Sequence, residues 1–414
     1  MTAFRVWAPR PERVELAIAP AGDEGTGSGT AAGAGTAAGG VRSASPERHA
    51  MTREERGWWS VDVPRAGPGS DYGYVLDGAG PFPDPRSPWQ PGGVHALSRT
   101  VDHAAFPWSD RGWEAPPLAD GVIYELHVGT FTPAGTFEGA IERLDDLVEL
   151  GISHVELMPV AEFPGDRGWG YDGVDLFAPH HAYGGPEGLK RLVDACHARG
   201  LAVLVDVVWN HLGPDGNYLG RFGPYFTDRY HTPWGEAVNF DGPGSDEVRD
   251  FVIDNARTWL EDYHADGLRI DAVHAIFDQS ATTILEAVAR AVHELGDRLG
   301  RRLVAIAESD LNDPRHVREV DRGGYGLDAQ WNDEFRHALH VTLTGESDGY
   351  HAQYSGIEDV ATALRHVFVF DGQYSAFRDR SHGRPADGLP ATRFVGFLQN
   401  HDQVGNRALG DRIG

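Results

Sequence analysis

From about Gly121 onward the sequence repeats one unit: a short apolar run, a break, a helical stretch, then another apolar run. VIYELHV is followed by TFEGAIERLDDLVELG and HVELMPV. PEGLKRLVDACHARG, LAVLVDVV, SDEVRDFVIDNARTWLEDYH, GLRIDAV, ATTILEAVARAVHELG and LVAIAES continue the alternation. Strands and helices alternating at this length imply a parallel sheet with right-handed crossovers. Five such strands, a sixth near AQWNDEF and a seventh at RFVGFLQN fit a (β/α)8 TIM barrel better than an open sheet. Pro186 and Gly200 bracket one helix as start and stop signals.

Three of the apolar runs carry an acid at or just beyond their end: Asp271 in GLRIDAVH, Glu308 in VAIAESD and Asp402 in FLQNHDQVGN. A carboxylate in such a run costs several kcal/mol unless it is paired or needed. Barrel enzymes keep their sites at strand C-termini, which is where these acids fall. Two carboxyls flanking a glycosidic bond suffice for hydrolysis with retention, one attacking the anomeric carbon and the other protonating the leaving oxygen. Asp271 is the candidate nucleophile. Arg269, two residues earlier, shares its strand face and would keep it ionised. Glu308 is the candidate acid/base, its pKa raised by neighbouring anions, and Asp402 the candidate transition-state stabiliser, with His401 before it. DVVWNH contributes Asp206, a plausible lumen partner of Arg269, together with Asn210 and His211. WGYDGVD offers Trp169 and Tyr171 as flat faces for a pyranose ring, although aromatic packing explains them equally well. Trp331 and Asp333, with Glu334 beside them, fall where the sixth strand opens into the site, and His274 closes the Asp271 run. Each residue also has an ordinary structural explanation: a buried ion pair, a strand-end acid, a capped turn.

The first hundred residues read as β-structure: FRVWAP, RVELAIA, GWWSVDVP and DYGYVLD, separated by Pro, Gly and Asp. The expected organisation is a small all-β sandwich over 1–105, with a disordered Gly/Ala insertion at about 21–42, and the barrel over 106–414. A formal charge of −26 argues against nucleic acid, which needs clustered Lys and Arg. With one cysteine no intrachain disulfide is possible, no leader pattern opens the chain, and no run is long enough to span a bilayer, so a cytoplasmic protein is expected. Cys196 follows Leu189, Leu192 and Val193 at helical spacing and reads as core. No histidine pair has supported zinc-ligand spacing; His180 and His181, being adjacent, are expected to point apart.

DVVWNH, GLRIDAVH, AIAES and QNHDQ, in this order and spacing, resemble the four signature regions of the α-amylase family of retaining glycoside hydrolases. The resemblance implies Asp271 as nucleophile, Glu308 as acid/base and Asp402 as stabiliser, with sugar contacts from Tyr171, His211, Arg269 and His401. Longer stretches, including AESDLNDPR, DAQWNDEFRHALHVTLTGE and FLQNHDQVGNR, are similar to maltooligosyltrehalose trehalohydrolases, and the front domain to carbohydrate-binding β-sandwich modules of related enzymes. This implies a maltooligosyltrehalose or related α-glucan substrate, release of trehalose, no cofactor and no metal; the calcium that some α-amylases bind near Asn210 is not expected. A glycogen-branching enzyme shares module, barrel and triad and is the alternative. A catalytically silent α-glucan-binding fragment is a third reading. The strand count reaches seven and fourteen residues follow Asn400, so the barrel is expected to lack its last strand–helix unit, to be poorly soluble or inactive by itself, and to act within a longer chain.

Overall fold

The computed structural model describes residues 2–19 and 46–413, so the Gly/Ala insertion lies outside the described residues. Seven parallel strands form one curled sheet in sequence order: β1 (Ile123–Leu126), β2 (His154–Leu157), β3 (Ala202–Val207), β4 (Gly267–Ile270), β5 (Val304–Ala307), β6 (Ala329–Trp331) and β7 (Phe394–Val395). This is the parallel sheet of a (β/α) barrel, preceded in the chain by antiparallel sheets. Residues alternate across it as a pleat requires. Val203, Val205 and Val207 join the large core under the helices, whereas Leu204 joins an inner cluster with Ile306, Ala329 and Trp331. Asp206 is in phase with Leu204, so it too points into the lumen, opposite Arg269 in the β3–β4 register.

The helices form where capping and apolar spacing agree. The helix α1 (Gly185–His197) starts after Gly184, whose φ of 117° suits glycine, and carries Pro186 in its first turn. Its Leu189, Leu192, Val193 and Cys196 are buried together, each side chain worth roughly 1.5–3 kcal/mol if a full Val- or Leu-sized chain leaves water. Burial raises the Cys196 thiol far above its ordinary range, consistent with a core residue. Directly after α2 (Ser245–Arg257) the ladder widens to a π-turn over Thr258–Asp262, in which both Trp259 and Leu260 are buried. The stretch TFEGAIERLDDLVELG, expected as one helix, is two: Phe137–Ile141 and Leu144–Glu149, separated at Arg143 by a non-helical φ/ψ of −113°/5°. Thr283 caps α3 (Ile284–Leu299), and Gly300 ends it with a φ of 64°.

The front segment builds two antiparallel sheets, one of three strands and one of five, with the insertion falling between strands Val14–Ala19 and Glu47–Ala50. Its face meets the barrel side near α2. The Trp58 indole N–H donates to Glu247 at 3.0 Å, Arg86 pairs with Asp254 at 2.6 Å, and the Trp7 ring sits edge-on to Tyr225. Buried apolar residues of the front strands and of the barrel helices share one continuous cluster, which fixes the front module against the barrel.

Candidate active site

Arg269 organises the mouth of the barrel. Its side chain is fully buried, and its guanidinium lies 4.3 Å above the Trp331 ring. One nitrogen donates to both oxygens of Asp206 at 2.8 Å and to Asp271 Oδ1 at 2.7 Å; the other lies 3.1 Å from Glu308 Oε2. Three acids at the ends of three successive strands, Asp206 on β3, Asp271 just after β4 and Glu308 just after β5, therefore share one cation, which no reading of a single run could show. Trp331 closes the floor beneath Arg269 and packs against Phe397, so it faces the lumen.

Asp271 follows β4 and is held from both sides. Asn210 Nδ2 donates to its Oδ2 at 2.7 Å and to its backbone carbonyl at 3.0 Å, while Arg269 holds Oδ1. The next residue, Ala272, sits in the left-handed region at φ 38°, ψ 54°, which costs a non-glycine residue about 1 kcal/mol or more. In return its N–H donates to Glu308 Oε2 at 2.6 Å, so the strained turn ties the Asp271 and Glu308 carboxyls together. The Glu308 carboxyl is pushed up to about 8: burial raises it and Asp271 adds to the rise, against the lowering pull of Arg269 and the Ala272 N–H. A carboxyl raised in this way keeps its proton at neutral pH, the state that an acid catalyst requires. Asp206 is pushed up to about 6, chiefly by burial, with Arg269 opposing.

Tyr171 donates its hydroxyl to Asp206 at 2.7 Å and stacks on His401, ring centroids 4.9 Å apart. His401 opens the short helix His401–Gly405 after β7, with Trp169 edge-on to it at 5.5 Å. Trp169 keeps 41% of its surface exposed, enough to offer a ring face. Asp402 is 46% exposed at its side chain and points from the same helix start, where the Asn400 side chain caps its N–H. His211 is buried, hydrogen-bonded to Asn210 at 2.5 Å and stacked on Trp234 at 4.3 Å; burial lowers its pKa. Asp333 begins the helix Asp333–Thr344 and is pushed up to about 6, first by burial and then by Asp310 and Asp402, with Arg336 opposing. His274 is exposed on the turn after Asp271.

Two partners of the candidate site residues escaped the sequence reading. Trp234 stacks on His211 from a hairpin that carries no motif. Glu125, on β1, accepts the His401 backbone N–H at 2.7 Å and its Nδ1–H at 2.6 Å. Burial alone would lower the His401 imidazole, but Glu125 outweighs it and leaves the pKa raised. The pair joins the ends of β1 and β7, beside a groove of about 560 Å³ lined by Glu125, His127, Trp169 and His401. An acid inside the apolar run IYEL was the available signal. Glu125→Gln removes the charge that fixes the imidazole and the helix start behind Asp402. We expect kcat to fall roughly 10- to 100-fold, since misplacement by about 1 Å costs about that much. Steady-state kinetics beside a melting curve check this, and an unchanged kcat would assign the pair to stability alone.

Residues 103–226 match the family described as Alpha amylase, catalytic domain. A malto-oligosyltrehalose trehalohydrolase of Arthrobacter ramosus is 52% identical over 413 residues, 99% of this chain and 68% of its own length. The chain belongs to the malto-oligosyltrehalose trehalohydrolase family. It is therefore an α-amylase-family glycoside hydrolase by descent, and it spans about two thirds of the length of that relative. Among solved structures, a proposed alpha amylase of Salmonella typhimurium superposes with a TM-score of 0.87 at 38% identity, over 99% of this chain and 66% of that one. A 1,4-alpha-glucan branching enzyme of Pseudoalteromonas atlantica is more distant, at 30% identity over 88% of this chain and 57% of its own length. Membership of the trehalohydrolase family thus separates the two enzyme readings that the motifs alone left open. Among the described residues, no helix is long and apolar enough to cross a membrane.

Proposed function

We propose that this barrel hydrolyses the α-1,4-glucosidic bond next to the terminal trehalose of maltooligosyltrehalose, with retention, and releases trehalose inside the cytoplasm. The observation that carries the chemistry is the shared guanidinium: Arg269 contacts both Asp271 and Glu308, the two carboxyls that the mechanism needs. The 52% identity to a trehalohydrolase carries the choice of bond.

In the proposed cycle, Asp271 Oδ attacks the anomeric carbon while protonated Glu308 gives its proton to the glycosidic oxygen, and trehalose leaves. Glu308, now a carboxylate beside Arg269, takes a proton from water, whose oxygen then displaces Asp271 from the sugar. Asp402 accepts hydrogen bonds from hydroxyls of the flattening ring, and Tyr171 and Trp169 supply apolar faces. His211, His401 and Asp333, the last at the start of the helix after β6, contact the sugar; exposed His274 stands further along the turn. Incubation with maltotriosyltrehalose, followed by chromatography, tests the assignment. Trehalose and maltotriose are the expected products. New α-1,6 branches on amylose would indicate the branching reaction, and glucan binding without turnover a silent module.

A further inference from the structure

Outside the site, one cluster of side chains lacks the partners that its chemistry asks for. Glu162 ends the short strand Ala161–Glu162, and His180 and His181 directly follow its antiparallel partner Asp175–Pro179. The sequence suggested that the two adjacent imidazoles point apart. They do not. The backbone bends into a 3₁₀ turn at His181, the ring centroids lie 4.7 Å apart, and both Nδ1 atoms face one carboxylate. His181 Nδ1 is 2.6 Å from Glu162 Oε1, and His180 Nδ1 is 3.3 Å from Oε2. Glu162 and His180 are fully buried, yet neither ring nitrogen of His180 has a hydrogen-bond partner. A buried polar group left in that state carries a desolvation cost that native structures avoid. Asp175 is also buried, across the strand pair from Glu162, and takes a hydrogen bond from Gln90 at 3.4 Å.

We propose that Glu162, His180 and His181 bind a transition-metal ion of the zinc class, which clips together the two ends of the segment carrying Trp169 and Tyr171. The ligand atoms of the three residues lie within 4.8 Å of one another, so a small inward rotation of the side chains brings all three onto one ion with bonds of about 2.0–2.2 Å. Two imidazoles and one carboxylate select zinc, cobalt or nickel over calcium or magnesium, which prefer all-oxygen shells. The orphaned His180 nitrogen gains a partner, and the cation balances a buried carboxylate. The surroundings fit a metal-bound histidine as well. His181 Nε2 lies 3.4 Å from Asp166, so with Nδ1 on the ion the other nitrogen donates to a carboxylate, and the His180 ring is held flat on Phe163 at 3.8 Å. The clip closes the segment at its base, and the segment's far end holds Tyr171 against Asp206. Its ion thereby stiffens one wall of the sugar site without touching the reacting bond.

The test uses the full chain, stripped with a chelator and titrated with zinc against a chromophoric competitor. One ion per chain is expected, with a higher melting temperature and several-fold slower trypsin cleavage after exposed Arg167. Cobalt(II) in place of zinc should give visible ligand-field absorption of an imidazole–carboxylate site. His181→Gln, at a partly exposed position, should weaken zinc binding roughly 100-fold, and Asp166→Asn roughly 10-fold. His180→Asn should abolish uptake, but the wild-type titration decides the matter even if that variant does not fold. Uptake far below one ion per chain, or full uptake by His181→Gln, overturns the proposal. All these readouts are independent of hydrolysis, so they stand whatever the products of the sugar assay.

Discussion

Asp271→Asn and Glu308→Gln should each lower kcat by roughly 10⁴- to 10⁶-fold on an unactivated maltooligosyltrehalose, as removal of a group from an interdependent catalytic set does. The two losses have different signatures. Asp271→Asn removes the attacking oxygen, so no substrate restores the rate. Glu308→Gln removes the proton donor, so a substrate whose leaving group needs no proton recovers much of the first step. The folds should survive. Asn210 can still bond to the backbone carbonyl at position 271, and the amide carbonyl introduced by Glu308→Gln can still accept from the Ala272 N–H. Single-turnover kinetics on both substrates, with circular dichroism as control, decide it. Near-native turnover by either variant on the unactivated substrate removes that residue from the mechanism.

The second large effect is on stability, and its sign follows from Glu308. Its carboxyl has an ordinary value of 4.5 and is raised to about 8 in the folded chain, mainly by burial. Between those values the folded state keeps a proton that the unfolded state has released. Stability therefore falls as pH rises through this window, and the full penalty is present above about 8. The cost is on the order of a few kcal/mol, since a tenfold change in proton affinity is worth about 1.4 kcal/mol. Glu308→Gln does not titrate. Its melting temperature should match the wild type near pH 4.5 and exceed it increasingly toward pH 8. Asp206, raised to about 6, contributes in the same sense between 3.8 and 6, but equally to both proteins. Activity runs parallel: hydrolysis declines as pH rises through about 8, where the acid loses its proton. Melting curves across this range test the sign, and a variant less stable than wild type at alkaline pH would contradict a buried, destabilised carboxyl. The active site is thus a place where the fold gives up stability for a usable proton.

The sequence by itself determined the seven parallel strands and their order, because apolar runs of strand length between helical stretches leave few topologies. It also picked out the candidate triad, because a carboxylate in an apolar run is conspicuous without any structure; Asp271 and Glu308 do directly follow β4 and β5, whereas Asp402, expected at the end of a strand RFVGFLQN, sits on the helix His401–Gly405 beyond a strand of only Phe394–Val395. Helix limits at Pro186 and Gly200 followed from local backbone preference alone, and Gly200 does take a left-handed φ of 78° just past the helix end. Only the tertiary structure decided what depends on curvature. Glu125 meets His401 across 276 positions because the sheet curls until β1 approaches the end of β7. Arg269 serves Asp206, Asp271 and Glu308 at once because three neighbouring strands present the same phase to the lumen. His180 and His181 converge on Glu162 because a 3₁₀ turn overrides the alternation expected of adjacent residues. Period and punctuation act over a few residues and are written in the chain. The partners of a buried charge are set by which strands lie side by side, and that is settled only when the sheet curls around them.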